Sequence, residues 1–148
     1  MFRRFALVAL GWMPLLLPAA ESSPTRFDQV TVAPAKTSIY IGTVTMTMPA
    51  FVRKNGTYES SYAARVFPFF FSNEQGRVVI ELPDDALRQL ERGETISFHG
   101  RGVRDDGAGR RLEGTATPID AVSGKLKVRV SVSKRLELIF NTTYRFGS

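Results

Sequence analysis

The chain contains no cysteine. That absence removes a disulfide scaffold, a thiol nucleophile and every cysteine-based metal site from consideration. Histidine is nearly absent as well: His99 is the sole imidazole in 148 residues, so a catalytic arrangement has one candidate imidazole base. There is no G-x-S-x-G elbow, no H-E-x-x-H helix and no glycine-rich strand-to-helix junction for phosphates. Nor do strands alternate with long helical stretches, the rhythm of a parallel α/β sheet. Beyond the first 20 residues no apolar run approaches the length, roughly 20 residues, that spans a bilayer as a helix.

What is present is a two-residue rhythm. Leu126, Val128, Val130 and Val132 alternate with Lys125, Lys127, Arg129 and Ser131, and Leu136, Leu138, Phe140, Tyr144 and Phe146 continue on the same parity. Side chains of a strand point to opposite faces in turn, so this stretch has one apolar face and one mostly charged face. It is too long for one typical strand. A hairpin at Ser133, Lys134 and Arg135 keeps the apolar face together, setting Val132 opposite Leu136 and Val130 opposite Leu138.

The remainder reads in order. Residues 1–20 combine Arg3 and Arg4 with an apolar run from Ala6 to Leu17 and the small residues Ala19 and Ala20. This is the pattern of a cleaved secretory signal peptide. Residues 21–36, with Ser22, Ser23, Pro24 and Pro34, are expected to form a flexible lead-in, and residues 37–147 the β-domain. In the first strand Tyr40, Gly42, Val44, Met46 and Met48 share a face. Asn55-Gly56 suits a type I′ hairpin turn, with Lys54 facing Thr57. Extended unbroken, that register sets Val44 opposite Phe67 and Gly42 opposite Phe69, with Pro49 as the point where a bulge would break it. The following strand, residues 62–71, carries Pro68 in its middle. Pro83, Asp84 and Asp85 open the one expected helix, Leu87 and Leu90 supply its apolar side and Gly93 stops it.

The expected fold is all-β: a single small antiparallel β-barrel or sandwich of six to eight strands with one short helix, after a cleaved signal peptide. Its expected core is Val44, Phe67, Phe69, Ile80, Phe98, Val128, Val130, Leu138 and Phe140.

Charge supplies the functional expectation. The net charge is +6, and without Arg3 and Arg4 the chain still carries 18 basic against 14 acidic residues. Lys125, Lys127 and Arg129 line up about 7 Å apart on one strand face, and Arg110 and Arg111 lie on the preceding strand. These five residues are the candidate binding face, toward an anionic lipid or polysaccharide. Export makes nucleic acid the least fitting anion. His99 falls on an outward face, and Asp84-Asp85 and Asp105-Asp106 fit helix-start and turn roles, so no cofactor, metal or catalytic residue is expected. The functional expectation is an exported, non-enzymatic β-domain with a binding or structural role in the bacterial cell envelope, periplasmic or extracellular. It could contact membrane, but no transmembrane helix is expected in the mature chain. The alternative is a small outer-membrane β-barrel, suggested by the alternating aromatics that end at Phe146. A pocket large enough for a lipid would change this ranking most, because small barrels can hold one apolar ligand.

Overall fold

Alternation becomes hydrogen-bonded ladder almost throughout the computed structural model, which describes residues 27–147. The expected signal peptide and the lead-in up to residue 26 lie outside the described residues. The strands are β1 (Gln29–Val32), β2 (Ala35–Ile39), β3 (Gly42–Thr47), β4 (Phe51–Lys54), β5 (Thr57–Phe67) and β6 (Glu74–Glu81), then, after helix α1 (Asp84–Glu91), β7 (Ile96–Arg104), β8 (Gly109–Pro118), β9 (Ser123–Ser133) and β10 (Leu136–Phe146).

The pairings make these segments eight staves of one closed antiparallel barrel. β1 and β2 share a single register against β4 and β3: Gln29 faces Val52 and Ala35 faces Met46, with Pro34 and Pro49 in the gap between. Proline has no N–H to give a ladder, so each stave is interrupted at its proline without leaving its course. The ladder then runs β5, β6, β7, β8, β9, β10, each paired with the next, and closes where β10 meets β1 at Val32↔Tyr144. Closure leaves no exposed edge along that seam.

Part of the segment expected as flexible lead-in is therefore structural. β1 lies inside residues 21–36, and it is a strand because Val30 and Val32 are buried while Thr31 between them is exposed. The Asn55-Gly56 turn forms as expected, with positive φ at both residues and Lys54 opposite Thr57. Beyond Pro49 the register slips by one. Val44 faces Val66, and Phe67 faces Thr43 instead of Val44. A one-residue slip exchanges the two faces of a strand, so Phe67, expected in the core, stands 64% exposed. β5 ends there, and the expected strand through residue 71 gives way to a cis Phe67–Pro68 peptide and a 3-10 turn at Phe70–Ser72. Of the other expected core residues, Val44, Phe98, Val130, Leu138 and Phe140 are buried, and Phe69, Ile80 and Val128 are partly buried against them. The β9–β10 hairpin forms with Val130 opposite Leu138; a register shift next to the turn pairs Leu136 with Ser133 instead of Val132.

Helix α1 covers one end of the barrel. Two turns are too few to be stable alone in water, and its Leu87 and Leu90 are buried against the barrel. Its end is a Schellman motif: Gly93 at φ +80 donates to Leu90 O at 3.0 Å, and Glu94 N–H to Gln89 O at 2.9 Å. Its start is tied down by Arg53, whose guanidinium donates to Leu82 O at 2.9 Å and pairs with Asp84 at 2.7 Å. The same guanidinium lies 5.1 Å from the ring centre of Tyr58. Tyr58 is only 1% exposed and donates to Phe27 O at 2.5 Å. Burial pushes its phenol up to about 12, against the nearby Arg53 charge that pulls it down. Because the folded state disfavours the phenolate, this contribution is complete below pH 10 and is lost as pH rises through 12. Tyr58 should contribute about 2–3 kcal/mol to the fall in stability read from urea midpoints across that window, and Tyr58→Phe should remove that share.

Candidate functional site

The inward side chains decide what the barrel can hold. Three aromatic rings lie directly opposite glycines on the neighbouring strand: Tyr62 over Gly76, Phe98 over Gly114 and Tyr144 over Gly124. A Cβ on Gly114 would sit 2.1 Å from Phe98 Cζ, and one on Gly124 would sit 2.6 Å from Tyr144 Oη. Glycine in a strand is a weakness unless a cross-strand ring covers it. Here the rings use that space to lie against the wall. The sequence expectation placed this device at Gly42 under Phe69; in the structure a Cβ at Gly42 would instead strike Phe67 O at 2.0 Å.

Rings folded against the wall leave the middle unfilled. A cavity of about 130 Å³ remains inside, lined by Met46, Met48, Ile80, Leu126, Val128 and Phe140 among others, with Leu90 of α1 also in its wall. The lining is almost wholly apolar. Its charged members, Glu74 and Arg110, are gathered toward the end opposite α1, where Tyr62 Oη donates to Glu74 at 2.6 Å, Arg110 pairs with Glu74 at 2.9 Å and Arg104 approaches it at 3.4 Å. Burial, then the bond to Glu74, holds the Tyr62 phenol well above its ordinary value. Arg110 Nε is buried with no hydrogen-bond partner among the described residues. Outside the wall an open groove of about 590 Å³ runs beside the Pro49 interruption, and Met48 and Tyr62 line both groove and cavity. The proline gap thus adjoins the interior at a flexible methionine.

Arg110 belongs to this interior cluster and not to the basic face where it was expected. Adjacent strand residues point to opposite sides, and Leu112 on the same parity is buried, so Arg110 turns inward while Arg111 turns out. That parity was readable in the sequence. The acceptor that makes an inward arginine tolerable, Glu74, sits 36 residues away and was not. Lys125, Lys127 and Arg129 do share the exposed outer face of β9. Arg129 is opposite Glu113 and pairs with Glu137 at 3.7 Å, so Lys125 and Lys127 are the cations of that stripe without a carboxylate in ion-pair reach among the described residues.

The remaining candidates are accounted for locally. His99 lies on the convex outer wall beside Glu81 and Glu113, away from the cavity. Asp84 and Asp85 pair with Arg53 and Arg88 at the start of α1. Asp106 accepts the Ala108 N–H at 3.0 Å in the β7–β8 turn. Asp120 accepts the Val122 and Ser123 N–H groups at 2.9 and 2.7 Å in the β8–β9 turn, which holds its carboxyl below the usual range. No group of three or more His, Asp or Glu that could hold a metal occurs among the described residues.

Comparison with known proteins finds no family model, curated protein or solved structure that matches this chain. The barrel interior is therefore the candidate site on its geometry alone.

Proposed function

We propose that this protein is a non-catalytic binding barrel that takes a small apolar molecule, of about the size of one aromatic ring, into its interior. The cavity carries the reading. A void of about 130 Å³ costs about 3 kcal/mol relative to a filled core, at roughly 24 cal/mol per Å³. A cavity this apolar gains little from water and accepts compact apolar ligands. The methionines in the lining can adjust to a guest, and the groove at Pro49 supplies a route past Met48.

The distribution of charge supports an aqueous exterior over the outer-membrane alternative. A membrane-spanning barrel needs an apolar band about 25 Å tall on its outer wall. Here the outward positions of β7 to β9 include His99, Arg101, Arg111, Glu113, Lys127 and Arg129, and of the large apolar residues on these strands only Val103 stands exposed on that face. The envelope setting rests on the pattern of the first 20 residues.

The test is thermal denaturation with and without benzene. At about ten times its dissociation constant, benzene should raise Tm by about 4–6 °C. Val128→Phe, which fills the cavity, should abolish the rise. No rise, or a rise that survives Val128→Phe, contradicts the reading.

A second reading, anion contact through the β9 stripe, is favoured by the two exposed lysines. Lys125→Gln, Lys127→Gln and Arg129→Gln together should lower retention on a polyanionic polysaccharide column at low salt, with folding and benzene binding unchanged. Unchanged retention would remove the stripe from consideration.

A further inference from the structure

The barrel end opposite α1 is unlike the rest of the surface. The β2–β3 turn presents Tyr40 and Ile41, and the β5–β6 loop presents Phe67, Phe70 and Phe71, the exposures running from 58% at Ile41 to 104% at Tyr40. The two segments adjoin, since Thr43 pairs with Phe67 and the wall at Gly42 touches the Phe67 carbonyl. Monomeric proteins seldom leave a contiguous apolar patch of this kind without a use.

The loop is built to hold its rings out. Asn73 Oδ1 accepts the Val66 N–H at 2.9 Å, Ser72 N–H donates to Phe69 O at 3.0 Å, and Asn73 N–H donates to Phe70 O at 3.1 Å. Edge-to-face ring contacts, Phe67 with Phe70 at 6.0 Å and Phe69 with Phe71 at 5.6 Å, stiffen it further.

Charge selects the occupant. Residues 36–47 and 63–73 contain no Asp or Glu, and their charges are Lys36 and Arg65. β10 lies beside β2, so the β9–β10 turn brings exposed Lys134 and Arg135 to the same rim. A second copy of the chain on this rim would set cation against cation. An anionic bilayer meets both features, because aromatic rings favour the headgroup boundary and Lys and Arg favour anionic lipid. The acidic β7–β8 turn, with Asp105 and Asp106, extends from this end between β6 and β9, across the barrel from the β2–β3 turn.

We propose that the protein docks on anionic lipid bilayers through this rim, with the Phe70–Phe71 loop and the Tyr40–Ile41 turn entering the headgroup layer. The barrel then stands on the membrane end-on, tilted away from the Asp105–Asp106 turn.

The experiment is co-sedimentation of the full chain with vesicles of phosphatidylcholine alone or with 30% phosphatidylglycerol, folding of each variant being checked by circular dichroism. Binding should require phosphatidylglycerol and weaken with salt. Phe70→Ser with Phe71→Ser should lower the partition coefficient at least tenfold, and Lys134→Glu with Arg135→Glu should erase the preference for anionic lipid. The β9 triple neutralisation should change it less than threefold. Absence of binding overturns the proposal, as does indifference to the aromatic variant or loss with the β9 triple alone. So does a concentration-dependent dimer, seen by ultracentrifugation without lipid, that Phe71→Ser dissolves. None of these outcomes bears on benzene binding in the interior, so the two proposals fail separately.

Discussion

Phe140→Ala should destabilise the protein by about 3–5 kcal/mol, while Phe67→Ala should change stability by less than about 0.5 kcal/mol. The residues are the same type and both stand in long strands with regular alternation. They differ in face. Phe140 is 3% exposed in the wall of the cavity, and Phe67 is 64% exposed on the rim. Removing the first ring enlarges a void already present, so the loss lies at the upper part of the usual range. Removing the second gives little back to water that water did not already have. Urea midpoints for the two variants decide the register of β3 against β5. Equal losses would mean that the slip at Pro49 does not exist and that Phe67 faces Val44 inside the barrel.

Gly114→Ala should cost about 1–3 kcal/mol although it adds a single methyl group. The new Cβ would lie 2.1 Å from the Phe98 ring, and an overpacked interior relaxes only by moving side chains off their rotamers or shifting backbone. Phe98→Leu in the same chain should recover at least 1 kcal/mol of that loss, because the clash partner is gone; the double-mutant cycle isolates this coupling from the separate cost of losing the ring. A pair of independent, additive losses would mean that Phe98 does not lie over Gly114.

The alternating pattern carried most of the architecture. Leu126 to Val132 and Leu138 to Phe146 announced the last hairpin because large apolar residues recur at nearly every second position there. Asn55-Gly56 announced its turn because both residues can adopt positive φ. β1 was missed because four residues beside a proline carry too little pattern to be told from coil; its strand character comes from Phe51 and Phe146 on either side. The register beyond Pro49 was not readable, since a proline marks where a bulge can form without saying whether one residue is added. The filling of the interior was hidden for a similar reason. The part played by Gly76, Gly114 and Gly124 shows only when the register places a ring opposite each. Sandwich and barrel were equally open, because closure depends on Val32 meeting Tyr144 across more than a hundred residues. The rim shows the same limit: Phe67 read as core and the slipped register turns it outward, while the strand expected to run through Phe70 and Phe71 ends before them.

The most direct measurement is a methyl-resolved NMR titration of the full chain with benzene. Signals of Met46, Met48, Leu126 and Val128, which line the cavity, should shift together and saturate with one dissociation constant, while Ile139 and Val52 on the outer wall stay fixed. Shifts of equal size inside and outside, or none at the four interior residues, would contradict a ligand-binding interior.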